Sequence, residues 1–559
     1  MMELALAAEF RPNEFPEPTR EQWRDLVEAV LRKSGASYDS LVTRTYDGID
    51  IQPLYTEASS KFPGLAPAKQ GWDVRQRHTV PDKIAVMNDL EGGVTSLWLA
   101  VPAETLQDVL ADVYLDLAPI TLDGDVEAAR AMLRIYDESP LLPEQVHGNL
   151  ALDPLKGTEV IKQANKLFPH LRTVVVDALP FHDAGGSDAE ELGASIALGV
   201  AHLRALTAAG LSTAQAFAQL EFRYAATADQ FLTIAKLRAA RRLWARVAEV
   251  SGSGEKQVQH AVTSSAMMTR RDPWVNMLRT TVAAFAAGLG GADAVTVQPF
   301  DAAIGLPDEF SRRIARNTQN LLLEESHLGE VIDPAAGSWY VEQLTDELAK
   351  TAWAWFQEIE RAGGLPSARN LVDDRIARTW ETRRQHIADR RDPITGVSEF
   401  PFLDEKPVNR TPHSEPQAGV RYAQDFEALR DLADAQPERP RVFLATLGPV
   451  SAHTARATFA ANLFNAGGFA TPNAGATKTV EDVVEAFKAD DAKIAVLCGS
   501  EQSYADLAVP VVTALRAAGA ERVLLAGKKT DAEVDGFVFM GCPALDILTE
   551  TFDFLGVKR

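Results

Sequence analysis

The sequence is short of cysteine, of basic residues relative to acidic ones, and of long apolar runs. Only two cysteines occur in 559 residues, Cys498 and Cys542. So few thiols exclude a disulfide scaffold and a cysteine-rich zinc site, and they indicate a reducing compartment. Lys and Arg number 56 against 78 Asp and Glu, a net charge of −22, which argues against nucleic acid or an anionic membrane as a partner. No apolar run approaches the roughly 20 residues that span a bilayer.

Targeting signals and common catalytic motifs are absent as well. The first residues have no basic region and soon reach Glu and Pro, so we expect neither a signal peptide nor a transit peptide, and a cytoplasmic location. The sequence contains no Gly-x-Ser-x-Gly, no P-loop and no paired metal motif. His327 lies beside Glu324 and Glu325, but no second ligand pair accompanies it. A hydrophobic content of 46% nevertheless predicts a substantial packed core.

Patterning divides the chain into four parts. Residues 1–68 form an arm that either folds back on its own domain or embraces a partner. Residues 69–395 alternate strand and helix signals without a Gly-x-Gly-x-x-Gly motif, which favours a (β/α)8 barrel over a dinucleotide fold. Residues 396–437 read as a proline-rich linker. Residues 438–559 alternate three strands with helices, which predicts a parallel, doubly wound sheet.

Apolar periodicity gives the expected elements of the two folded parts. In the first part we predict strands at 72–76, 96–101, 120–122, 173–179, 217–224 and 294–298. Its helices are expected at 103–110, 125–136, 188–209, 231–250, 274–289, 311–325 and, as the last one, 344–362. The second part follows a helix at 425–434, with strands at 442–447, 493–498 and 522–526 and helices at 454–465, 479–488, 503–518 and 544–554.

Several polar groups have a structural interpretation at this stage. The helix predicted over 231–250 carries cations mostly outside its apolar stripe, which we interpret as a solvated face: Lys236, Arg238, Arg241, Arg242 and Arg246. Arg316 to Gln319 are expected to tie barrel loops together. Asp333 and Gly337 mark a turn, and Cys498, which ends an apolar strand, is expected in the core.

Five segments of the barrel region resemble the methylmalonyl-CoA mutase family. They are Gly71–Gln76 (GWDVRQ), Ile234–Arg241 (IAKLRAAR), Ala302–Pro307 (AAIGLP), Ile314–Gln319 (IARNTQ) and Val331–Glu342 (VIDPAAGSWYVE). The resemblance runs from about residue 71 to the end and is looser in the last domain. It implies a TIM barrel followed by a flavodoxin-like (Rossmann-like) domain of the cobalamin-binding type, and a place in propionate metabolism.

Catalytic members of that family carry a cobalamin loop in the last domain. Its motif is Asp-x-His-x-x-Gly, where the His coordinates cobalt, the Asp orients the His and the Gly allows close approach. Aligned through Leu447-Gly448, this chain has Val450, Ala452 and Ala455 at those places. The Lys that precedes the motif is Thr446 here. The resemblance therefore implies the fold of the cobalamin domain, whereas the residues that would hold the cofactor are replaced in this chain.

The barrel departs from the catalytic pattern as well. In catalytic members an acyl-CoA binds through the barrel, adenosylcobalamin lies above it, and a Tyr follows the Arg-Gln of the first strand. That Tyr is Arg77 here, and a catalytic His aligns with Pro180. His182 lies two residues further on and is either a functional group or a hydrogen-bonded His near Asp183. In the cobalamin loop, His453 is either a displaced ligand or a helix-start His capped by its own backbone.

These departures favour one of three hypotheses. The first is the non-catalytic small subunit of a heterodimeric methylmalonyl-CoA mutase, which interconverts (R)-methylmalonyl-CoA and succinyl-CoA. The homologous large subunit would then bind adenosylcobalamin and the acyl-CoA, and this chain would have no catalytic, cofactor or metal residues. The second is a divergent acyl-CoA mutase active by itself, with His453 on cobalt. The third is a barrel enzyme of another reaction type with a regulatory α/β domain.

Overall fold

The described part of the chain folds into a parallel barrel followed by an open parallel sheet. The computed structural model describes residues 18–56, 70–413, 418–528 and 531–557. The predicted fold class, a TIM barrel followed by a flavodoxin-like domain, is confirmed. The prediction that the first residues form neither a signal peptide nor a transit peptide concerns residues that lie outside the described ranges. Within those ranges no helix is long and apolar enough to cross a membrane.

Eight strand positions form the barrel, all paired in parallel. The fifth is interrupted at Thr173, whose carbonyl accepts from Leu152 N at 2.7 Å while its amide donates to Gln219 O at 3.3 Å. The sheet therefore closes on itself. In chain order the positions are Asp73–His78, Ser96–Leu99, Ile120–Leu122, Gly148–Asn149, Leu171–Arg172 with Val174–Asp177, Leu220–Ala226, Gln259–Thr263 and Ala294–Thr296. The sequence analysis missed the fourth and seventh of them.

Helices surround this barrel, and most lie where periodicity placed them. They are Lys83–Glu91, Leu106–Val109, Val126–Glu138, Thr158–Leu167, Leu179–Asp183, Asp188–Ala208, Thr213–Ala218, Gln230–Val250, Val275–Leu289, Glu309–Asn320, Trp339–Arg361 and Arg369–Ala388. The segment 311–325 changes from α-helix to a π-helical turn at Leu321–Glu325. The prediction that 344–362 holds the last helix was wrong, because Arg369–Ala388 follows. That helix buries only Val372, Ile376 and Ile387, so it has almost no apolar stripe.

The solvated face predicted for the helix Gln230–Val250 is wrong for three of its five cations. Lys236, Arg238 and Arg241 are 0%, 2% and 5% exposed. The helix packs against three others, Trp339–Arg361, Val275–Leu289 and Asp188–Ala208, so its polar positions meet protein instead of water. Arg242 and Arg246 keep the expected partial exposure.

Each buried cation of that helix has partners brought from elsewhere in the chain. Lys236 binds Glu191 at 2.7 Å and Asp188 at 2.9 Å. Arg238 pairs with Asp333 and Glu342, which belong to the turn and helix covering it. Arg241 donates to Gln259 Oε1 at 2.8 Å and to the carbonyl of Gly290 at 2.7 Å. Because a shift of the helix would leave these buried charges without their partners, the pairs hold the helix in one position.

The structural role predicted for Arg316 to Gln319 is confirmed. Arg316 donates to Asp89 at 2.9 Å and to the carbonyl of Asn88 at 3.0 Å. Gln319 accepts from the Trp72 indole at 3.1 Å. These hydrogen bonds join the helix Glu309–Asn320, near the end of the barrel sequence, to the first strand and first helix of the barrel.

The second sheet has four parallel strands, one more than predicted. Their order is Phe443–Thr446, Ile494–Cys498, Arg522–Ala526 and Gly536–Val538. The last strand is short and begins with Gly, so its apolar signal is weak. The segment near Asn473 bridges the outer side of the first strand, which gives the order typical of flavodoxin-like sheets. The helices around the sheet are Gln424–Asp434, Val450–Ala466, Val480–Lys488, Glu501–Ala517 and Ala544–Phe554.

The proline-rich segment before this sheet is anchored to the barrel. Arg410 binds Asp308 at 2.9 Å and also pairs with Asp301, while Leu306 N donates to Thr411 O at 2.8 Å. Further on, Glu427 accepts the backbone amide of Arg270 at 2.6 Å. These contacts attach the segment before the α/β domain to the loops that follow the seventh and eighth barrel strands.

Candidate functional site

A buried ion pair between Arg75 and Glu221 lies inside the barrel. Arg75 donates from Nη1 to Oε1 of Glu221 at 2.5 Å, and from Nε to the Ser96 hydroxyl at 3.0 Å. Burial by itself raises the pKa of Glu221, but the facing Arg75 guanidinium outweighs it and lowers that pKa, so the carboxylate stays ionised. A charged link between the first and sixth strands therefore crosses the centre of the barrel.

Toward the carboxyl ends of the strands, three large side chains form the next layer, of which Trp98 and Arg223 are buried and Arg77 is exposed. The guanidinium carbons of Arg77 and Arg223 lie 4.4 and 4.0 Å from the centre of the Trp98 ring. Arg223 also donates to Asp177 at 3.0 Å, and Arg77 donates to Asp123 at 3.0 Å. Cation–π contacts and ion pairs together hold these groups across the lumen. We call Arg77, Trp98 and Arg223 the lumen plug.

His260 packs against the plug as a neutral ring. Its ring meets that of Trp98 edge-on at 5.3 Å. Its Nε2 lies 2.8 Å from the Thr296 hydroxyl, and its Nδ1 accepts from Arg223 Nε at 3.4 Å. Burial, followed by the charges of Arg75 and Arg223, holds the pKa of His260 well below its ordinary value. Both ring nitrogens are engaged by protein, so His260 has no proton ready for a substrate.

The sequence analysis singled out only one member of the plug, Arg77. It missed Trp98 and Arg223, together with Glu221 and His260. A signal was present in the strand Leu220–Ala226 (LEFRYAA), where two charged residues alternate with apolar ones. Alternate residues of a barrel strand point inward, so this alternation could have predicted a charged lumen.

The position of the catalytic His holds an exposed proline. Pro180 lies in the first turn of the helix Leu179–Asp183, directly after the fifth barrel strand. His182 is buried on the other side of that turn, with Nε2 2.6 Å from the Ser264 hydroxyl and Nδ1 3.9 Å from Glu191. Burial, reinforced by the charge of Lys236, lowers the pKa of His182 to about 3. His182 is thus hydrogen-bonded through Ser264, and it remains neutral outside the lumen.

The loop aligned with the cobalamin motif is the start of a helix. The helix Val450–Ala466 begins four residues earlier than predicted, directly after Pro449. Thr454, expected as its first residue, lies inside it and donates its hydroxyl to the Val450 carbonyl at 2.6 Å. His453 is buried, and its Nδ1 lies 3.2 Å from the Gly448 carbonyl. This contact is the backbone cap expected of a helix-start His.

These residues do not fit a cobalamin held through histidine. Val450, Ala452 and Ala455 offer no ligand or hydrogen-bonding side chain. Thr446, which replaces the preceding Lys, donates its hydroxyl to the Gly475 carbonyl at 2.6 Å. His453 is only 6% exposed, one residue after the ligand position, and within the described residues no carboxylate bonds to its ring.

Other candidate groups are structural or exposed. Cys498 is fully buried, as predicted, and burial raises the pKa of its thiol. His327 is exposed and pairs with Glu330 at 3.1 Å. Across the described residues no group of three or more His, Cys, Asp and Glu side chains could hold a metal ion.

Comparison with known proteins agrees with this architecture. The family profile named Methylmalonyl-CoA mutase matches residues 155–488. The methylmalonyl-CoA mutase small subunit of Streptomyces virginiae is 53% identical, over 99% of this chain and 98% of the relative. The small subunit from Propionibacterium freudenreichii subsp. shermanii is 38% identical, over 98% and 96%.

More distant relatives carry the name of the enzyme without a subunit label. The methylmalonyl-CoA mutase of Escherichia coli (strain K12) is 29% identical, over 68% of this chain and 64% of the relative. Identity is therefore higher, and coverage more complete, for the two proteins named small subunits. The chain belongs to the methylmalonyl-CoA mutase family and resembles its small subunits along nearly its whole length.

Proposed function

We propose that this chain is the non-catalytic partner of a homologous large subunit in a methylmalonyl-CoA mutase. The complex interconverts (R)-methylmalonyl-CoA and succinyl-CoA by radical rearrangement of the carbon skeleton, with adenosylcobalamin and the acyl-CoA on the large subunit. The observation that carries the proposal is the lumen plug, because Arg77 and Arg223 are packed against Trp98 at the carboxyl ends of the barrel strands, where an acyl-CoA bound through the barrel would need open space.

The α/β domain supports the same proposal. A cobalt ligand needs a histidine with a free nitrogen in an exposed loop, with a second group to orient it. Here the corresponding residues are Val450, Ala452 and Ala455 in the first turns of a helix. The substrate channel and the cofactor loop thus both depart from the catalytic pattern in this one chain.

The arm supplies a surface suited to a partner. The helix Arg20–Ser34 buries none of its residues. Its apolar side chains Leu26 and Val30 are 70% and 64% exposed. An amphipathic helix with an open apolar face is stabilised when a second chain covers it. We therefore place part of the contact with the large subunit on this helix, where the chain would stabilise its partner.

The remaining predictions belong to this proposal. We retain the division into an arm (1–68), an acyl-CoA mutase-type barrel (69–395), a linker (396–437) and a cobalamin-binding-like domain (438–559). A reducing compartment fits the two buried thiols, and we place the complex in the cytoplasm.

The test is turnover of methylmalonyl-CoA in the presence of adenosylcobalamin. The full-length chain alone should show no activity, and activity should appear when the large subunit is added. A His453→Ala chain should support the complex as well as the unchanged one does. Turnover by the chain alone, abolished by His453→Ala, would overturn the proposal.

A further inference from the structure

A cavity of about 650 Å³ lies beside the barrel mouth, outside the lumen plug. Its walls come from the segments that follow the fifth to seventh barrel strands, from helices Gln230–Val250 and Val275–Leu289, from the strand pair within 43–51, from the segment 383–395 and from Tyr422. The volume lies in the range of small-molecule sites, about 300–1,000 Å³. Barrel proteins bind their ligands at this end of the strands.

The cavity wall contains a guanidinium, that of Arg383, whose Nε has no hydrogen-bond partner in the described part of the chain. The guanidinium carbon of Arg383 lies 4.1 Å from the centre of the Tyr46 ring and 5.1 Å from that of Tyr422. Its Nε is buried and meets no acceptor among the described residues. Arg383 itself lines the cavity, so a ligand oxygen there can accept from its terminal nitrogens and offset the cost of a guanidinium with unmade hydrogen bonds. The geometry thus points to an anionic ligand.

The charge of that ligand is limited by four carboxylates in the same wall. Asp188 binds Lys236 at 2.9 Å, and Asp392 accepts from the Tyr46 hydroxyl. The other two cap helices: Asp47 accepts from the amide of Ala189 and Asp229 from that of Leu232, each at 3.2 Å. None of them bonds to Arg383. Arg44 and Arg279 also line the wall, so four carboxylates face three guanidinium groups, and this small negative excess disfavours a doubly charged ligand. A single negative charge fits better than a phosphate dianion.

The rest of the wall is mainly apolar. It includes six aliphatic or thioether side chains: Leu232, Met267, Val275, Leu278, Val282 and Ile394. Leu278 is 67% exposed, so part of this wall is open to an incoming molecule. Burying apolar ligand surface against it contributes about 25 cal/mol per Å².

We propose that this cavity binds a small monocarboxylate with an apolar body. Its carboxylate accepts from the Arg383 guanidinium, and its body lies along the wall that contains Leu278. Guanidinium groups bind carboxylates through paired hydrogen bonds. This site is independent of the proposed partnership with a large subunit, since it needs only residues of this chain.

The test uses octanoate as the probe and isothermal titration calorimetry of the full-length chain. Octan-1-ol, which has the same body without the charge, should bind at least about tenfold more weakly, because it lacks the charged hydrogen bonds. Octyl phosphate, carrying more charge, should also bind more weakly than octanoate. The Arg383→Met chain should lose about tenfold in octanoate affinity, and Arg383→Lys should recover part of it.

Two further variants keep the test decisive. Arg384→Met removes the neighbouring cation, which binds Asp425 at 2.6 Å outside the cavity, and should leave octanoate affinity unchanged. Leu278→Glu changes an exposed position of the wall and should weaken octanoate even if Arg383→Met fails to fold. Equal affinity for octanoate and octan-1-ol would overturn the proposal, as would unchanged octanoate binding in Leu278→Glu.

Discussion

The barrel lumen and the cobalamin-type loop contrast in how their side chains are arranged. The lumen holds bulky and charged side chains, with Trp98 and Arg223 at 3% and 2% exposure. The loop has small or apolar side chains instead, and Val450 is 60% exposed. The side chains that fill the lumen are part of the barrel core. The loop at Val450, in contrast, can lack ligand groups without any change to the fold around it. Stability should therefore depend strongly on the plug and weakly on the loop.

The largest effect is expected from Trp98→Ala. It removes a buried ring with two cation–π contacts, so it should lower the free energy of unfolding by about 3–5 kcal/mol. Val450→Ala in the loop is the matched truncation and should change it by less than about 0.5 kcal/mol. Urea unfolding followed by circular dichroism measures both. Similar losses for the two variants would contradict the comparison.

The second effect concerns the ion pair beneath the plug. Arg75→Met leaves Glu221 as an unpaired buried carboxylate and should cost about 3 kcal/mol of unfolding free energy. The double variant Arg75→Met with Glu221→Met removes both charges and should recover much of that loss. If the double variant were as unstable as Arg75→Met alone, the charge pairing would not be the reason, and packing in this layer would be.

The third effect is a pH dependence located in the barrel. The folded pKa of His182, about 3, lies below the unfolded value near 6.5. The unfolded chain therefore binds the proton first, and the stability contribution, complete above about pH 6.5, is lost as pH falls toward 3. Relative to His182→Asn, the unchanged chain should lose up to about 1.4 kcal/mol more per pH unit below pH 6. Parallel curves between pH 7 and pH 5 would refute this.

The smallest effect is expected at Gly448, where the chain turns into the helix Val450–Ala466. Gly448 has φ +84°, and a Cβ there would meet no atom closer than 3.5 Å. Gly448→Ala should therefore cost only the backbone strain, about 1 kcal/mol. Gly254→Ala, at an ordinary φ and with no atom within 4 Å of the added Cβ, is the control for the loss of glycine. Thermal melts that show no difference between the two would remove the strain argument.

Sequence reasoning reached the fold because alternating strands and helices are local patterns. It also located the departures at Arg77, Pro180 and Val450, since these are read position by position. It failed for Lys236, Arg238 and Arg241, because their partners come from other elements of the chain; Arg238, for example, pairs with Glu342, 104 residues away in the sequence. The plug was missed for the same reason, because Trp98 and Arg223 meet only when the barrel closes.

Boundaries failed where single residues decide them. The helix predicted from Thr454 starts at Val450, because Pro449 already has the extended backbone of a cap and the following residues satisfy helical hydrogen bonds. The strand Gly148–Asn149 has two residues and no apolar run, so only its pairing with neighbouring strands identifies it.

The central claim is that this chain has no cofactor site of its own, and equilibrium dialysis against adenosylcobalamin tests it most directly. The full-length chain alone should retain no cofactor, and the absorbance spectrum of the protein compartment should match that of the free cofactor. Retention with a spectrum showing the cofactor's own base displaced by histidine would contradict the account and would make His453 the ligand.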